Sequence, residues 1–422
     1  MRKVRTSVTP SRDGRRCRKY LLLVALSTLI VSHALGRAKE KVIYRFAGAA
    51  DGAYPSSSLT MDNSGNLYGT TAEGGIIGCY GIGCGVVFQL KPTAGGRWVP
   101  NVIHAFQPEI DGTGPSGNLV FDASGNLYGT TAEGGAYKCG TAFELSPDGS
   151  GMWKETILHN FGGSSDGCDP EGLTLDAEGN LYGVTGSGGS LIYELSPPEQ
   201  PGGEWTETIL YDMGFGNWAA PDLAFDTMGN IHDTWYPNFC CGGVFELTRI
   251  GVKNWQKADL YDFPGGGNGG EPESGVLLVN NGHMFGTTFT GGNDQGLVFE
   301  MKRSGHRWKT QILYMFCSLN YCADGAYPDG PLVRDDAGNL YGVTNDGGTR
   351  CGRFRCGVVF KLAPGKIEWK ETVLHRFQGS PDGNEPTRGL VSDGKGHLYG
   401  ATILGGNDGP NGGFGAVFEV SP

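Results

Sequence analysis

Asp122-Ala123-Ser124-Gly125-Asn126-Leu127-Tyr128-Gly129-Thr130-Thr131 is one of seven copies of a phrase that decides the fold of this chain. Its first glycine recurs as Gly65, Gly125, Gly179, Gly229, Gly282, Gly338 and Gly396, at successive gaps of 60, 54, 50, 53, 56 and 58 residues. That period suits four-stranded propeller blades and is too long for a helical solenoid repeat. Outward from Gly125 the repeat reads as four strands: Asn118 to Asp122, Leu127 to Thr131, Thr141 to Leu145, and Trp153 to Phe161. Turns at Ala123-Ser124-Gly125 and Pro147-Asp148-Gly149 and a loop at Glu133-Gly134-Gly135 separate them, and no segment sustains a helical period.

The two ends of the chain complete each other. The last repeat supplies Gly389 to Asp393, Leu398 to Thr402 and Ala416 to Val420, and has no fourth strand of its own. Val42-Ile43-Tyr44-Arg45-Phe46 has the pattern of fourth strands such as Val102-Ile103-His104-Ala105-Phe106. Pairing the first with the last closes a ring and removes two sheet edges. The expectation is an all-β, seven-bladed propeller of four-stranded blades over residues 37–422, its ring closed by the N-terminal strand.

Residues 1–36 read as a secretory signal peptide, with basic Arg12, Arg15, Arg16, Arg18 and Lys19, an apolar run from Tyr20 to Val31, and small Ala34 and Gly36 before Arg37. An uncleaved anchor is the alternative. Without them 25 basic and 43 acidic side chains remain, a formal net charge of −18. Such a surface repels nucleic acid and anionic membranes. The expected partner is an extracellular glycan or protein, with no nucleic acid and no membrane span, and the expected state is a monomer in the periplasm, at the cell surface or outside it.

The repeated Gly-Asn-Leu-Tyr-Gly-Thr-Thr, the Gly85-Val86-Val87-Phe88-Gln89-Leu90 type of third strand and the Trp153-Lys154-Glu155-Thr156-Ile157-Leu158 type of fourth strand resemble one family. This is the secreted bacterial proteins built of the GloVer-type tandem repeat, often called choice-of-anchor proteins. The resemblance covers about residues 41 to 422; it implies export and a propeller-like array, and brings no catalytic residues with it.

Loops from second to third strands, and from each fourth strand to the next blade, emerge on one face. They are long and varied, so function is expected there. All ten cysteines beyond the leader, Cys79, Cys84, Cys139, Cys168, Cys240, Cys241, Cys317, Cys322, Cys351 and Cys356, fall in these loops. Disulfides between Cys79 and Cys84, Cys317 and Cys322, and Cys351 and Cys356 are expected, with Cys139–Cys168 and a vicinal Cys240–Cys241 bridge as further possibilities. Zinc is disfavoured because Cys-x4-Cys pairs lack partnering histidines.

Each inter-blade loop carries Asp or Asn before a Pro: Asp51, Asp111, Asp166, Asn217, Asn268, Asp324 and Asp382. A turn device accounts for the set, the side chain capping backbone N–H groups. Calcium is the sharper alternative, best served by Asp166, Asp169 and Glu171. Histidines follow repeat positions; His104, His159 and His375 stand where other repeats have Tyr44, Tyr211, Tyr261 and Tyr314.

Six tryptophans open fourth strands, whereas Trp218 and Trp235 break the pattern in blade four, where Trp218 aligns with the glycine of the other inter-blade loops. Trp218, Trp235, Tyr236, Asp233 and Phe239 are the candidate ligand-binding residues, a stacking platform for a sugar ring or a partner's apolar anchor. Binding is the leading reading. A polysaccharide lyase or hydrolase using Glu73, Glu133 and Asp233 is the enzymatic alternative, and a purely structural envelope component is the third.

Overall fold

In a computed structural model the described residues are 38–422, apart from 77, 164, 188–189, 201, 239–240, 252–253, 280–281, 306, 352–353 and 408–411. The leader, Phe239 and Cys240 lie outside them, as does the side chain of Cys351. Seven antiparallel blade sheets follow one another in chain order, each with its first and fourth strands at opposite ends of the sheet order, and a two-stranded ribbon, Arg350–Cys351 with Phe354–Arg355, is added in blade six. Blade two, for example, is Thr113–Phe121, Leu127–Glu133, Thr141–Pro147 and Trp153–Asn160. Three one-turn 3-10 segments are the only helices among the described residues.

The seventh sheet takes Lys39–Arg45 as its outer strand, antiparallel to Ala416–Ser421, with Lys39 opposite Ser421 and Arg45 opposite Ala416. The ring closes as the sequence predicts.

The repeated phrase folds for identifiable reasons. Asp62 accepts the N–H groups of Ser64 (2.8 Å) and Asn66 (2.9 Å) on Oδ1, and the Asn66 amide (2.7 Å) and Tyr68 hydroxyl (3.0 Å) on Oδ2. Asp122 and Asp176 repeat all four bonds. Gly65, at φ +80°, makes the turn that allows this. The second glycine answers a different need: a Cβ on Gly69 would stand 2.7 Å from the tip of the Phe88 ring, so its absence makes room for strand three's phenylalanine against strand two.

Aromatic contacts join the blades. Phe46 packs on Phe88, Phe106 on Phe143, Phe161 on Tyr193, Phe263 on Phe299, Phe316 on Phe360 and Phe377 on Phe418, each with centroids 5.0 to 5.2 Å apart. The fourth-strand tryptophans bridge backwards, Trp98 to Tyr399, Trp153 to Tyr68 and Trp205 to Tyr128. Asp51, Asp111, Asp166, Asp324 and Asp382 cap backbone N–H groups of their loops. Disulfides join Cys79 to Cys84, Cys139 to Cys168 and Cys317 to Cys322. Cys241 and Cys356 are disulfide-bonded as well.

Deleting Lys39–Arg45 is expected to expose the edge of Ala416–Ser421, lower the melting temperature of the whole ring and produce dimers through edge pairing. Phe46→Ala, at a fully buried seam, is expected to cost about 3–5 kcal/mol. A deletion variant that melts with the parent and elutes as a monomer contradicts the closure.

Candidate functional site

The residue that precedes the first-strand proline holds a left-handed backbone in blade after blade: Tyr54 (φ 57°), Gly114 (61°), Asp169 (60°), Glu271 (52°), Tyr327 (56°) and Glu385 (56°). Five of these six are not glycine, and a non-glycine αL residue costs energy that a functional or packing role has to offset. In blade four, strand register identifies the equivalent residue, which precedes Ala219 and does not take the left-handed backbone. Pro55 pairs with Thr71, and Ala219 pairs with the equivalent Trp235, so Trp218 is the counterpart of Tyr54. The alignment of Trp218 with a loop glycine, made from sequence, is therefore corrected: blade four's loop is shorter, and its tryptophan joins this ring on the long-loop face.

Three members of the ring are aromatic, and each meets a second aromatic residue. Trp218 stacks on Tyr236 (5.9 Å, 27°), Tyr327 stacks on Phe289 (4.7 Å, 24°), and Tyr54 tilts against Phe414 (6.1 Å, 56°). All six are half-buried. Hydrogen bonds fix two pairs: Trp218 Nε1 donates to the Gly186 carbonyl (2.7 Å), and Gln295 Nε2 donates to the Tyr327 hydroxyl (2.8 Å).

Inside the ring stand Glu171 and Asp329 of first strands and Asp222 and Glu273 of the corresponding segments of blades four and five, and from blade seven Arg388 extends to blade three, its Nη1 3.8 Å from Glu171 Oε2. Arg388 stands two residues after Pro386, where blades two and six have Gly117 and Gly330, and it keeps their positive φ (58°). Burial works against its charge, but Glu171, Asp329 and Asp222 outweigh that and raise its pKa. One guanidinium does not neutralise this well. Burial, then Glu171 and Glu133, push Asp169 up to about 6. Burial lifts Asp222 to about 6, opposed by Arg388, and Glu273 to about 7, with Asp329 and Glu271 adding. Tyr236 feels Glu273 and Glu171, so the aromatic pair of blade four adjoins the well.

The residues singled out from sequence go to different places. Trp218 and Tyr236 meet at the ring. Trp235 alternates to the other side of its strand, packs on blade four's core and takes Lys257 over its ring at 5.1 Å. Asp233 occupies the register of Gly69, the glycine on which a phenylalanine packs, and is fully buried. Neither of its carboxyl oxygens meets full hydrogen-bond geometry among the described residues, and although the nearby Thr234 and Ala220 N–H groups oppose it, burial holds its pKa well above the usual range. Glu73 and Glu133 line one groove of about 780 Å³ between blades one and two, with Glu109 and Lys138. Asp169 and Glu171 belong to the well, whereas Asp166 turns outward to His159. Arg388, Glu273, Phe289 and Tyr327 were missed in the sequence; the departure of Thr387-Arg388 from the Pro-x-Gly of blades two, three and six was the available signal.

Known structures share the architecture. The extracellular domain of the putative hybrid two-component system BT4673 from B. thetaiotaomicron superposes with a TM-score of 0.56 at 12% identity, covering 91% of this chain and 42% of that one. PorZ of Porphyromonas gingivalis gives 0.52 at 13%, covering 90% and 48%. The chain thus spans under half the length of either. No curated protein matches its sequence. A family model described as the Gloeobacter/Verrucomicrobia repeat matches residues 30–200 and 228–422.

The well predicts a pH dependence. Asp222, Glu273 and Asp233 have folded-state pKa values above their ordinary ones, so the folded protein holds protons that the unfolded chain releases. The contribution of Asp222 and Glu273 is complete below about pH 4 and is lost as pH rises through about 6 to 7, and Asp233 acts in the same direction, so the melting temperature is expected to fall from pH 5 to pH 8. Asp233→Ala removes a buried carboxyl without well-formed hydrogen bonds; it is expected to flatten that profile and to gain about 1–3 kcal/mol at pH 8. Thermal melts at the two pH values decide this, and a profile that rises toward pH 8 contradicts it.

Proposed function

We propose that this chain, which belongs to the Gloeobacter/Verrucomicrobia repeat family, is an extracellular recognition propeller that binds saccharide at the ring of aromatic and acidic residues on its long-loop face. The supporting observation is the combination of three aromatic pairs, Trp218–Tyr236, Phe289–Tyr327 and Tyr54–Phe414, with the carboxylates of the central well. Half-exposed aromatic faces take the apolar side of a pyranose ring, and carboxylates accept its hydroxyl hydrogens. The acidic surplus disfavours anionic polysaccharides, so the ligand is a neutral or amino sugar. Bridges at Cys79–Cys84, Cys139–Cys168 and Cys317–Cys322 suit an oxidising location. An extracellular setting is also that of the BT4673 domain, and PorZ is described as a bacterial surface component. Among the described residues no helix is long and apolar enough to cross a membrane.

An array of neutral, amino and anionic glycans tests the reading. Retention is expected on neutral or amino glycans, and Trp218→Ala and Tyr327→Ala should each weaken it by about 1–3 kcal/mol without lowering the melting temperature much. Trp235→Ala is expected to do the reverse, destabilising blade four and leaving binding intact. Retention on anionic glycans alone, or variants at positions 218 and 327 that bind as the parent does, would sink the proposal.

A further inference from the structure

Away from the well, at the boundaries between blades, the fold builds one side-chain constellation three times. The outer strand of every blade carries a one-residue bulge just before a His or Tyr: Tyr44, His104, His159, Tyr211, Tyr261, Tyr314 and His375. Bulges re-aim the side chain that follows. Here five of these residues turn toward the aspartate of the next loop: Tyr44 donates to Asp51 and Tyr314 to Asp324, both at 2.7 Å, while His104 Nε2 is 2.9 Å from Asp111, His159 Nε2 3.2 Å from Asp166 and His375 Nε2 3.1 Å from Asp382. The next blade's outer strand adds a third residue, two positions after its tryptophan or, in blade seven, at the same register. It is Glu155, Glu207, Glu371 or Glu40 at four boundaries and Pro100, Lys257 or Thr310 at the rest.

Histidine stands only where both carboxylates flank it. The three sets are His104 with Asp111 and Glu155, His159 with Asp166 and Glu207, and His375 with Asp382 and Glu40; in each, one ligand atom per residue lies within 4.8 Å of the others. His104 Nε2 is 2.9 Å from Asp111 Oδ2 and 3.4 Å from Glu155 Oε1; His159 Nε2 is 3.2 Å from Asp166 Oδ2 and 3.8 Å from Glu207 Oε2. Oxygens and nitrogens bound at about 2.0–2.1 Å in a tetrahedral shell stand roughly 3.3 Å apart, close to these spacings. Glu40, Glu155 and Glu207 each also have a buried Oε1 with no hydrogen-bond partner among the described residues, as does Glu371 at the Tyr314 boundary, so it is the imidazole that sets the three sites apart. A tyrosine in the same place satisfies the aspartate with one hydroxyl but offers a poor ligand.

We propose that these three blade boundaries are equivalent binding sites for a divalent transition-metal ion of the zinc class, each built from one imidazole nitrogen and two carboxylates. The donor set of one His and two carboxylates suits zinc, cobalt, manganese or nickel, not the all-oxygen preference of calcium. Each ion would tie the outer strand of one blade to that of the next, so the sites fasten the ring where it is joined edge to edge.

The chain itself supplies the control, because four boundaries already carry tyrosine. Chelator-stripped protein at pH 7.5 is titrated with Co²⁺, followed by visible absorption, and with Zn²⁺, followed by equilibrium dialysis and elemental analysis. About three equivalents are expected, with His104→Tyr, His159→Tyr and His375→Tyr each removing one. The triple variant should lose all three, melt with the parent in chelator, and no longer gain melting temperature on adding Zn²⁺. Uptake of the same number of ions by the parent and a folded triple variant overturns the assignment. Ions held instead by the Asp226–His232–Glu246 grouping of blade four would produce that result. Absence of uptake by the parent at micromolar metal overturns it as well.

Discussion

Closure of the ring through the pairing of Lys39–Arg45 with Ala416–Ser421 is the constraint on which the rest of the molecule depends. A linear stack of blades would tolerate small errors at each boundary, because nothing requires the last blade to meet the first. A closed ring does not. Each boundary has to repeat nearly the same rotation, and the repeated contacts that set it are physical: a phenylalanine leaving one blade lies against the third-strand aromatic of the next. The boundary from blade three to blade four departs from this, with Met213 beside Phe245 in place of an aromatic pair.

Convergence on the axis follows from closure. Arg388 and Glu171 are far apart in sequence and belong to blades three and seven, yet their side chains meet because seven first strands share one axis. The same convergence crowds carboxylates. Asp169, Asp222 and Glu273 rise to about 6, 6 and 7 chiefly because burial penalises their charge, with neighbouring acids adding to it in each case. Only a fold that over-determines its backbone holds such a group of acids together with five non-glycine residues in left-handed conformations.

Blade four shows the local cost of departing from the repeat. Asp233 stands where six other blades have glycine, and burial leaves its carboxyl without well-formed hydrogen bonds among the described residues. Its neighbours Trp235 and Tyr236 replace Thr and Ala of the repeat, one feeding the core and the other the rim. Two adjacent residues on a strand face opposite ways, so a run of aromatics in sequence does not form one surface.

How much of this was legible without coordinates depends on the range of the interaction concerned. Blade number, the closing strand and the Cys79–Cys84 and Cys317–Cys322 bridges were readable because turn chemistry, strand alternation and close cysteine spacing are local, and the first two recur from repeat to repeat. The phrase around Gly125 carries its own explanation within seven residues, from Asp122 to Tyr128. The ring of Tyr54, Asp169, Trp218, Glu271, Tyr327 and Glu385 was not readable. Its members are about one repeat apart, and their equivalence rests on strand register, which a shorter loop in blade four shifts relative to the sequence alignment. Thus the sequence by itself determined the architecture, through short-range hydrogen bonding and packing that each repeat states in full. Tertiary structure alone decided which side chains meet at the axis and at the blade boundaries, because those meetings depend on closure and on bulges that re-aim single residues.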